Sequence, residues 1–237
     1  MARQARLVIP NQVHFVKQVG HNFQEICKTN EDAKRLRTII AETLPLFELA
    51  LHGFLISTNE FYLLLSPKNE TAISGFVQAI SRKYVPYFNQ KHARSGSLWN
   101  GRFLCTIVDV AHHGLDVVLY MNEKANITAE QFHLDVANLS ASPHYLGYSE
   151  IRWLHPIKEW WLLGNTPFDR EKAYYEILHQ GLGVSKTKAL QSALGHDKVL
   201  GSEPFIDALQ RLTSQKLKRG KAGRPVRTLL TAPNIVS

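Results

Sequence analysis

The order of apolar patterns in the first half of the chain constrains the fold most strongly. Runs typical of β-strands cover residues 12–18, 47–57, 60–66 and 103–109. Helical periodicity follows the first run, with Asn30 as the predicted cap, and the third run, from Asn69 to about His92. Another helix is predicted over 111–124. The order β-α-β-β-α-β-α predicts an α+β fold, with an antiparallel sheet that carries its helices on one face.

The second half of the chain is predicted to be helical. From Trp153 onward, helices are predicted over 156–163, 168–180, 185–194 and 203–214, whereas 125–150 is predicted to be irregular. We therefore predict an α+β domain at 1–130, a helical region at 131–214 and a tail at 215–237. An alternative interpretation makes a helix-turn-helix of the segments 185–194 and 203–214.

Positive charge is concentrated at the C-terminal end. The chain has 28 basic and 20 acidic residues, but no acidic residue follows Asp207. Seven basic residues lie in that stretch, so the rest of the chain is nearly neutral. A basic tail of this kind is typical of nucleic-acid binding, and we expect it to be disordered without a partner. The alternative is a solvated tail that only aids solubility.

Composition excludes several other classes of protein. No apolar run approaches the roughly 20 residues of a membrane span, and the N-terminus has no apolar signal-peptide core. Cys27 and Cys105 are too few for a disulfide framework or a four-ligand zinc site. We therefore expect a cytoplasmic protein, associated with the nucleoid, that makes no membrane contact.

Several segments match the motifs of one protein family. Residues 84–92 (YVPYFNQKH) and 94–103 (RSGSLWNGRF) resemble the patterns YVRYFNRRH and RxGxLWxGRF, and 163–175 resembles LGxTPExRxxAYR. By these motifs, the chain resembles the REP-associated tyrosine transposases, domesticated bacterial relatives of single-tyrosine insertion-sequence transposases. The resemblance implies a ferredoxin-like sheet and binding of single-stranded or hairpin repeat DNA. It also implies strand cleavage by a tyrosine, with a divalent metal held by two histidines on a central strand.

The chain departs from this family at the implied cleavage site. The family's Asn-His-x-His-Leu-Leu strand corresponds to 59–64, where Glu60 and Tyr62 replace both histidines. An ungapped register places Tyr120 on the nucleophile position and Lys124 on the position of a further amide ligand. A lysine ammonium cannot ligate a cation. We therefore predict no metal site, and we expect no cofactor unless cleavage, and with it a Mg²⁺ or Mn²⁺ ion, is retained.

Basic side chains interleave with aromatic ones in the segment 82–103. Basic groups neutralise phosphates and aromatic rings stack on unpaired bases, so this pattern favours contact with single-stranded DNA. Near Gly223-Arg-Pro225 the tail also resembles an AT-hook core. The predicted DNA-binding residues are Arg3, Arg6, Arg82, Lys83, Lys91, Arg94, Trp99, Arg102, Lys216, Lys218, Arg219, Lys221, Arg224 and Arg227.

Three functions remain open from the sequence. The first is a DNA-binding protein with a degenerate cleavage site that recognises single-stranded or hairpin repeat DNA as a monomer or homodimer. The second is an active single-strand endonuclease or transposase in which Tyr120 forms a phosphotyrosine intermediate. The third is an RNA-binding or nucleoid-associated protein that has diverged from the ancestral target.

Overall fold

The computed structural model describes residues 6–194 and 198–217. Its first half contains β1 (Val13–Val19), α1 (Asn30–Thr43), β2 (Leu49–Ile56), β3 (Glu60–Pro67), α2 (Ala72–Lys91) and β4 (Leu104–Val108). These four strands lie in the order β2-β3-β1-β4, and every neighbouring pair among them is antiparallel. This is the arrangement of a ferredoxin-like β-α-β-β-α-β unit. The predicted α+β fold class is therefore confirmed.

Local hydrogen bonds explain where α1 begins. The N-cap is Thr29 rather than the predicted Asn30, because the Thr29 side chain accepts from the backbone N–H of Asp32 at 3.2 Å. The Asp32 carboxylate accepts in return from the backbone N–H of Thr29 at 3.0 Å. This reciprocal capping box satisfies two N–H groups that the helix leaves unpaired.

Helices cover both faces of the sheet. On one face, Phe61 of β3 packs edge-on against Trp99, which stacks on Tyr84 of α2. On the other face, the neighbouring Tyr62 packs edge-on against Tyr120 of α3 (Val110–Phe132). Adjacent residues of a strand point to opposite faces. The ferredoxin-like unit therefore carries α2 on one face, where α1 packs against α2, and α3 covers the opposite face. The prediction that the helices lie on one face of the sheet is thus wrong for α3, because Tyr62 packs against Tyr120 on the other face.

The helix α3 is longer than predicted. It extends to Phe132, whereas the sequence pattern ends at 124. Asn126, Ile127 and Thr128 have weak helix propensity, but Ala125 and Thr128 are buried against the rest of the protein. Tertiary packing therefore stabilises a helix that local preference does not predict.

The C-terminal half of the chain is mainly helical, as predicted. It contains α4 (Val136–Leu139), α5 (Ser142–Tyr145), α6 (Lys158–Trp161), α7 (Pro167–Gln180), α8 (Val184–Ala193), β5 (Val199–Leu200) and α9 (Glu203–Gln210). The stretch 125–150 is thus partly helical rather than irregular. The short strand β5 pairs in parallel with β4 at the sheet edge. Because β5 lies between α8 and α9, the helix-turn-helix interpretation is wrong.

The hydrophobic core joins both halves of the chain. Phe15 and Leu64 from the sheet belong to the same buried cluster as Tyr145 and Tyr174 from the helical half. A second, smaller cluster unites Leu7 of the N-terminal arm with Leu209 of α9 and Leu217. The two described ends of the chain therefore lie beside each other. Among the described residues, no helix is both long enough and apolar enough to cross a membrane.

Candidate functional site

The four residues that the sequence assigned to the cleavage site lie together on the α3 face of the sheet. Glu60 and Tyr62 alternate on β3, so their side chains point to the same face. Tyr120 and Lys124 are one turn apart on α3, and both reach that face. Lys17 of β1 pairs directly with Tyr62 and completes the cluster. We call these five residues the Glu60 centre.

The carboxylate of Glu60 organises this centre. The Tyr62 hydroxyl and the Lys124 ammonium both donate to Glu60 Oε1, and the Lys17 ammonium lies 2.8 Å from Glu60 Oε2. The Lys124 ammonium also donates to the Tyr62 hydroxyl at 2.8 Å. The Glu60 side chain is only 7% exposed, so these charges meet in a largely dry setting. Two lysines face one glutamate, which leaves one net positive charge.

The surroundings shift the protonation of these groups in opposite directions. Burial alone would raise the pKa of Glu60, but the ammonium of Lys124 and then that of Lys17 hold the pKa below its usual value. Burial, followed by the charge of Glu60, raises the pKa of Tyr62 far above that of a free phenol. At neutral pH the centre therefore contains an ionised carboxylate and a protonated phenol.

The side chain of Tyr120 is buried beneath α8. Its relative exposure is 6%, and hydrogen bonds link its hydroxyl to Tyr62 and to Gln191 of α8. Burial raises the pKa of Tyr120. A cavity of about 200 Å³ opens beside it and is also lined by Lys17, Lys124 and Leu194. Tyr120 is therefore a protonated phenol in a cavity that two lysine side chains also line.

Two of the predicted DNA-binding cations are engaged within the protein. The Lys91 ammonium lies 2.7 Å from the carboxylate of Glu31 and 3.0 Å from that of Asp32, so it joins α2 to α1. The Arg94 guanidinium donates to the side-chain oxygen of Asn89 at 2.7 Å and to that of Gln24 at 3.0 Å. Their contacts hold α1, α2 and the 94–103 turn together.

Trp99, the predicted stacking residue, is partly buried on the α2 face. Its ring stacks on Tyr84 and meets Phe61 edge-on. Of the other predicted residues on α2, Arg82 is exposed and Lys83 donates to the Thr43 hydroxyl at 3.2 Å. Trp99 is therefore partly buried and packs against core aromatics; its predicted contact with DNA stays a prediction.

Arg6 and Arg102 lie together on the α2 face. They line two adjoining cavities, of about 760 and 560 Å³, which also share Thr71 and Ser74. The Arg6 guanidinium stacks over the ring of Phe103 at 3.6 Å, and Arg102 is exposed. We call this feature the Arg102 groove. Lys216 is exposed. The predicted residues Arg3, Lys218, Arg219, Lys221, Arg224 and Arg227 lie outside the described residues.

A family model supplies the decisive comparison. Residues 11–124, which run from β1 through Lys124, match the model described as "Transposase IS200 like". This segment is similar to the IS200-like transposases. It contains the whole Glu60 centre, together with Arg102.

The solved structures that resemble the chain are distant from it in sequence. A REP-associated tyrosine transposase bound to a REP hairpin is 13% identical, with a TM-score of 0.48, and the match covers 66% of this chain and 99% of that one. A Deinococcus radiodurans R1 protein assigned as a transposase is 18% identical (TM-score 0.34; 52% and 98% covered). The tRNA(His) guanylyltransferase of Saccharomyces cerevisiae is 11% identical (TM-score 0.37; 80% and 80% covered). No curated protein sequence matches the chain.

The residues of the Glu60 centre do not fit the divalent metal that the family resemblance implies. Glu60 is the one carboxylate of the centre, and two ammonium groups already neutralise it. Across residues 6–194 and 198–217, no three His, Cys, Asp or Glu side chains are grouped so that they could hold an ion. Lys124 would repel a cation at this place.

Sequence reasoning missed two members of the site. Lys17 pairs with Tyr62 across β1 and β3, and Gln191 reaches Tyr120 from α8. Because side chains alternate along β1, Lys17 and Phe15 lie on one face of the sheet. Once the register of β1 and β3 is known, this alternation indicates that Lys17 lies beside Tyr62. No sequence pattern indicates that α8 packs over Tyr120.

Proposed function

We propose that the protein binds single-stranded or hairpin repeat DNA and does not cleave it by a metal-dependent reaction. It would do so as a relative of the REP-associated tyrosine transposases that acts in the cytoplasm, on the nucleoid. The match of residues 11–124 to the IS200-like transposase model and the basic C-terminal end support the DNA partner.

One observation is the main support for the proposed loss of metal-dependent cleavage. The ammonium of Lys124 is bonded to Glu60 and Tyr62, the two residues at the implied metal-ligand positions. Catalysis of phosphoryl transfer depends mainly on positioning and on stabilising the charge of the transferred group. A lysine in an ion pair cannot supply the two charges and open coordination positions of a metal ion. Tyr120 is also protonated and buried, which weakens it as a nucleophile.

The proposal is tested by binding and cleavage in one tube. A labelled hairpin that carries a single-stranded extension is mixed with the protein, with either Mn²⁺ or EDTA present. We expect the protein to bind the hairpin and to give no cleaved product, both with Mn²⁺ and with EDTA. Cutting that needs Mn²⁺ and is absent in Tyr120→Phe would overturn the proposed loss of cleavage.

A residual nuclease is the second candidate function. Tyr120 lines a cavity together with Lys17 and Lys124, so a phosphate there would meet both a hydroxyl and positive charge. This function predicts a covalent adduct between the protein and the DNA strand. Denaturing electrophoresis of the same reactions detects such an adduct, and Tyr120→Phe is the matched control.

Competition with RNA separates the DNA-binding function from the RNA-binding alternative. Unlabelled DNA hairpin, duplex DNA and RNA hairpin of matched sequence compete for the labelled complex at several salt concentrations. We expect the DNA hairpin to compete best at every concentration. Better competition by the RNA hairpin would contradict the assignment of DNA as the partner.

A further inference from the structure

A serine and a histidine meet on neighbouring strands, outside the Glu60 centre. Ser66 lies near the end of β3, and His52 lies on β2. The Ser66 hydroxyl and the Nε2 atom of His52 are 2.7 Å apart, and the Nδ1 atom of His52 is 2.6 Å from the carbonyl oxygen of His155. A hydroxyl, an imidazole and an acceptor that orients the imidazole are therefore hydrogen-bonded in series, as in an activated nucleophile.

These hydrogen bonds determine which atom carries each proton. A carbonyl oxygen only accepts, so the Nδ1 atom of His52 donates to His155 and carries the proton of the neutral ring. The Nε2 atom then has a free lone pair, to which the Ser66 hydroxyl donates. Burial, the largest influence on the pKa of His52, lowers it, so the ring is neutral at pH 7. His52 is thus a base in the tautomer that can take the proton of Ser66.

The backbone around β2 holds His52 in this orientation. The pairing of β2 with β3 shifts its register between Leu51 and Gly53, so His52 lies in a β-bulge. Bulges redirect a side chain and are common beside active sites. The carbonyl of His52 accepts from the buried Tyr145 hydroxyl at 2.7 Å, and the N–H of His155 donates to the carbonyl of Leu51 at 2.8 Å. Both the histidine and the carbonyl that orients its ring are therefore fixed by the fold.

The serine and the histidine can both be reached from solvent. Each is partly exposed, whereas Tyr120 of the Glu60 centre is only 6% exposed. A partly exposed hydroxyl gives a small electrophile a path to the oxygen atom. It also leaves the base in contact with water, which the second half of an acyl-transfer reaction consumes.

We propose that Ser66 and His52 are a catalytic dyad that transfers the acyl group of small carboxylic esters to water. The Oγ atom of Ser66 forms a bond with the ester carbonyl carbon, and its proton passes to the Nε2 atom of His52. The bond between that carbon and the leaving oxygen then breaks, and His52 gives the proton to the leaving alcohol. The acyl group stays on Ser66 as an ester.

Water completes the reaction by the same route. Its oxygen bonds to the acyl carbon while His52 takes one of its protons. The bond from that carbon to the Oγ atom of Ser66 then breaks, His52 returns the proton to Ser66, and a carboxylic acid leaves. This activity is independent of the proposed DNA binding.

The acceptor behind His52 sets the expected rate. In a catalytic triad a buried carboxylate stabilises the imidazolium that forms during the reaction. Here the acceptor is the uncharged carbonyl of His155, which orients the ring but stabilises a positive charge less. We therefore expect slow turnover, and a covalent probe is the more sensitive first measurement.

A fluorophosphonate probe tests the nucleophile. The Oγ atom of Ser66 displaces fluoride from phosphorus, and mass spectrometry of the peptides locates the phosphonyl group. We expect label on Ser66 of the wild type. In His52→Gln the side chain still accepts a hydrogen bond but takes up no proton, so labelling of Ser66 should be about 100-fold slower.

Ser81→Ala is the matched control. Ser81 is also partly exposed, but its hydroxyl donates to the backbone carbonyl of Val77 at 2.8 Å rather than to a histidine. This variant should be labelled on Ser66 at the wild-type rate. Urea unfolding of each variant establishes that it is folded under the labelling conditions.

Hydrolysis of 4-nitrophenyl acetate tests the transfer to water. We expect the wild type and Ser81→Ala to release 4-nitrophenolate over many turnovers, and Ser66→Ala to fall to the rate of buffer. Binding of the DNA hairpin should be the same in Ser66→Ala as in the wild type. Hairpin binding and ester hydrolysis can therefore each fail without the other.

Three results would overturn the dyad. The first is a wild type whose Ser66 takes up no label from the probe. The second is labelling of Ser66 at the same rate in His52→Gln, since the histidine would then not be the base. The third is label on Ser66 without turnover of the ester, which would contradict the transfer of the acyl group to water.

Discussion

The two faces of the sheet carry opposite kinds of charge arrangement. At the Glu60 centre, two lysines and one carboxylate are bonded to each other in a largely buried cluster. At the Arg102 groove, Arg102 is exposed and hydroxyl groups line a wide opening. Buried charges satisfied by internal partners stabilise or specify a fold, whereas exposed ones are available to a ligand. The charges of the Glu60 centre are therefore satisfied within the protein, whereas Arg102 on the other face is exposed to solvent.

The largest expected effect comes from replacing the ion pair of the Glu60 centre with the metal ligands that the family resemblance implies. In the triple variant Glu60→His, Tyr62→His and Lys124→Gln, two imidazoles and an amide replace the internal ion pair. We expect a Mn²⁺ dissociation constant of roughly 10 µM, or about 7 kcal/mol, measured by isothermal titration calorimetry. The matched control, Glu60→Gln with Tyr62→Phe and Lys124→Gln, should bind no Mn²⁺. Equal binding by both variants would mean that the sheet and α3 do not define the ligand geometry.

Acid should lower the stability of the fold through His14, which holds the N-terminal arm against β1. Burial lowers the pKa of His14 to about 4, and its ring accepts from the backbone N–H of Ile9 at 3.2 Å. The neutral ring therefore ties the N-terminal arm, which carries Arg6, to β1. The unfolded chain takes up this proton at about pH 6.5, so stability falls as the pH drops from 6.5 to 4, by about 3 kcal/mol in all.

Urea unfolding of the wild type and of His14→Gln at pH 7, 6, 5 and 4 checks this expectation. The variant should show a flatter pH dependence across that range, because glutamine does not titrate. An identical pH dependence in the two proteins would mean that another group accounts for the acid sensitivity.

Breaking the internal ion pair should destabilise the fold. In Lys124→Met, Glu60 keeps only Lys17 as a charged partner in a largely buried position. We expect a loss of about 2 kcal/mol, below the range for fully buried pairs because the Lys124 side chain is 29% exposed. The control Lys186→Met breaks an exposed pair with Asp116 and should cost less than about 0.5 kcal/mol.

The pH dependence of this loss identifies Glu60 as its origin. The pKa of Glu60 is lowered in the folded state, so the pair contributes fully above the ordinary glutamate pKa and is lost as the pH falls through the lowered value. The difference between the wild type and Lys124→Met in urea unfolding should therefore shrink below about pH 4.5. A difference that is constant down to pH 3 would assign the loss to packing of the lysine stem.

The order of the first six elements and four of the five residues of the Glu60 centre were predicted from the sequence, because local patterns and motifs indicate them; Lys17 was missed. Apolar alternation identified the strands, and the motif register placed Tyr120 and Lys124 one turn apart. The end of α3, the short strand β5 and the Gln191 contact were not predicted, since each depends on packing between distant segments. The packing of Trp99 against Tyr84 and Phe61 was not predicted either, since sequence shows only its neighbours along the chain. Its contact with DNA stays a prediction.

The smallest expected effect concerns the residue that a transposase would need most. Tyr120→Phe removes one hydroxyl and its hydrogen bonds with Tyr62 and Gln191. We expect a loss of about 1 kcal/mol in urea unfolding and an unchanged affinity for the DNA hairpin, since the hydroxyl is bonded within the protein. A hairpin affinity reduced more than about fivefold, in a variant that melts like the wild type, would place DNA at the Glu60 centre. The contrast between a centre satisfied within the protein and an exposed Arg102 would then not predict where DNA binds, because a buried tyrosine would contact it.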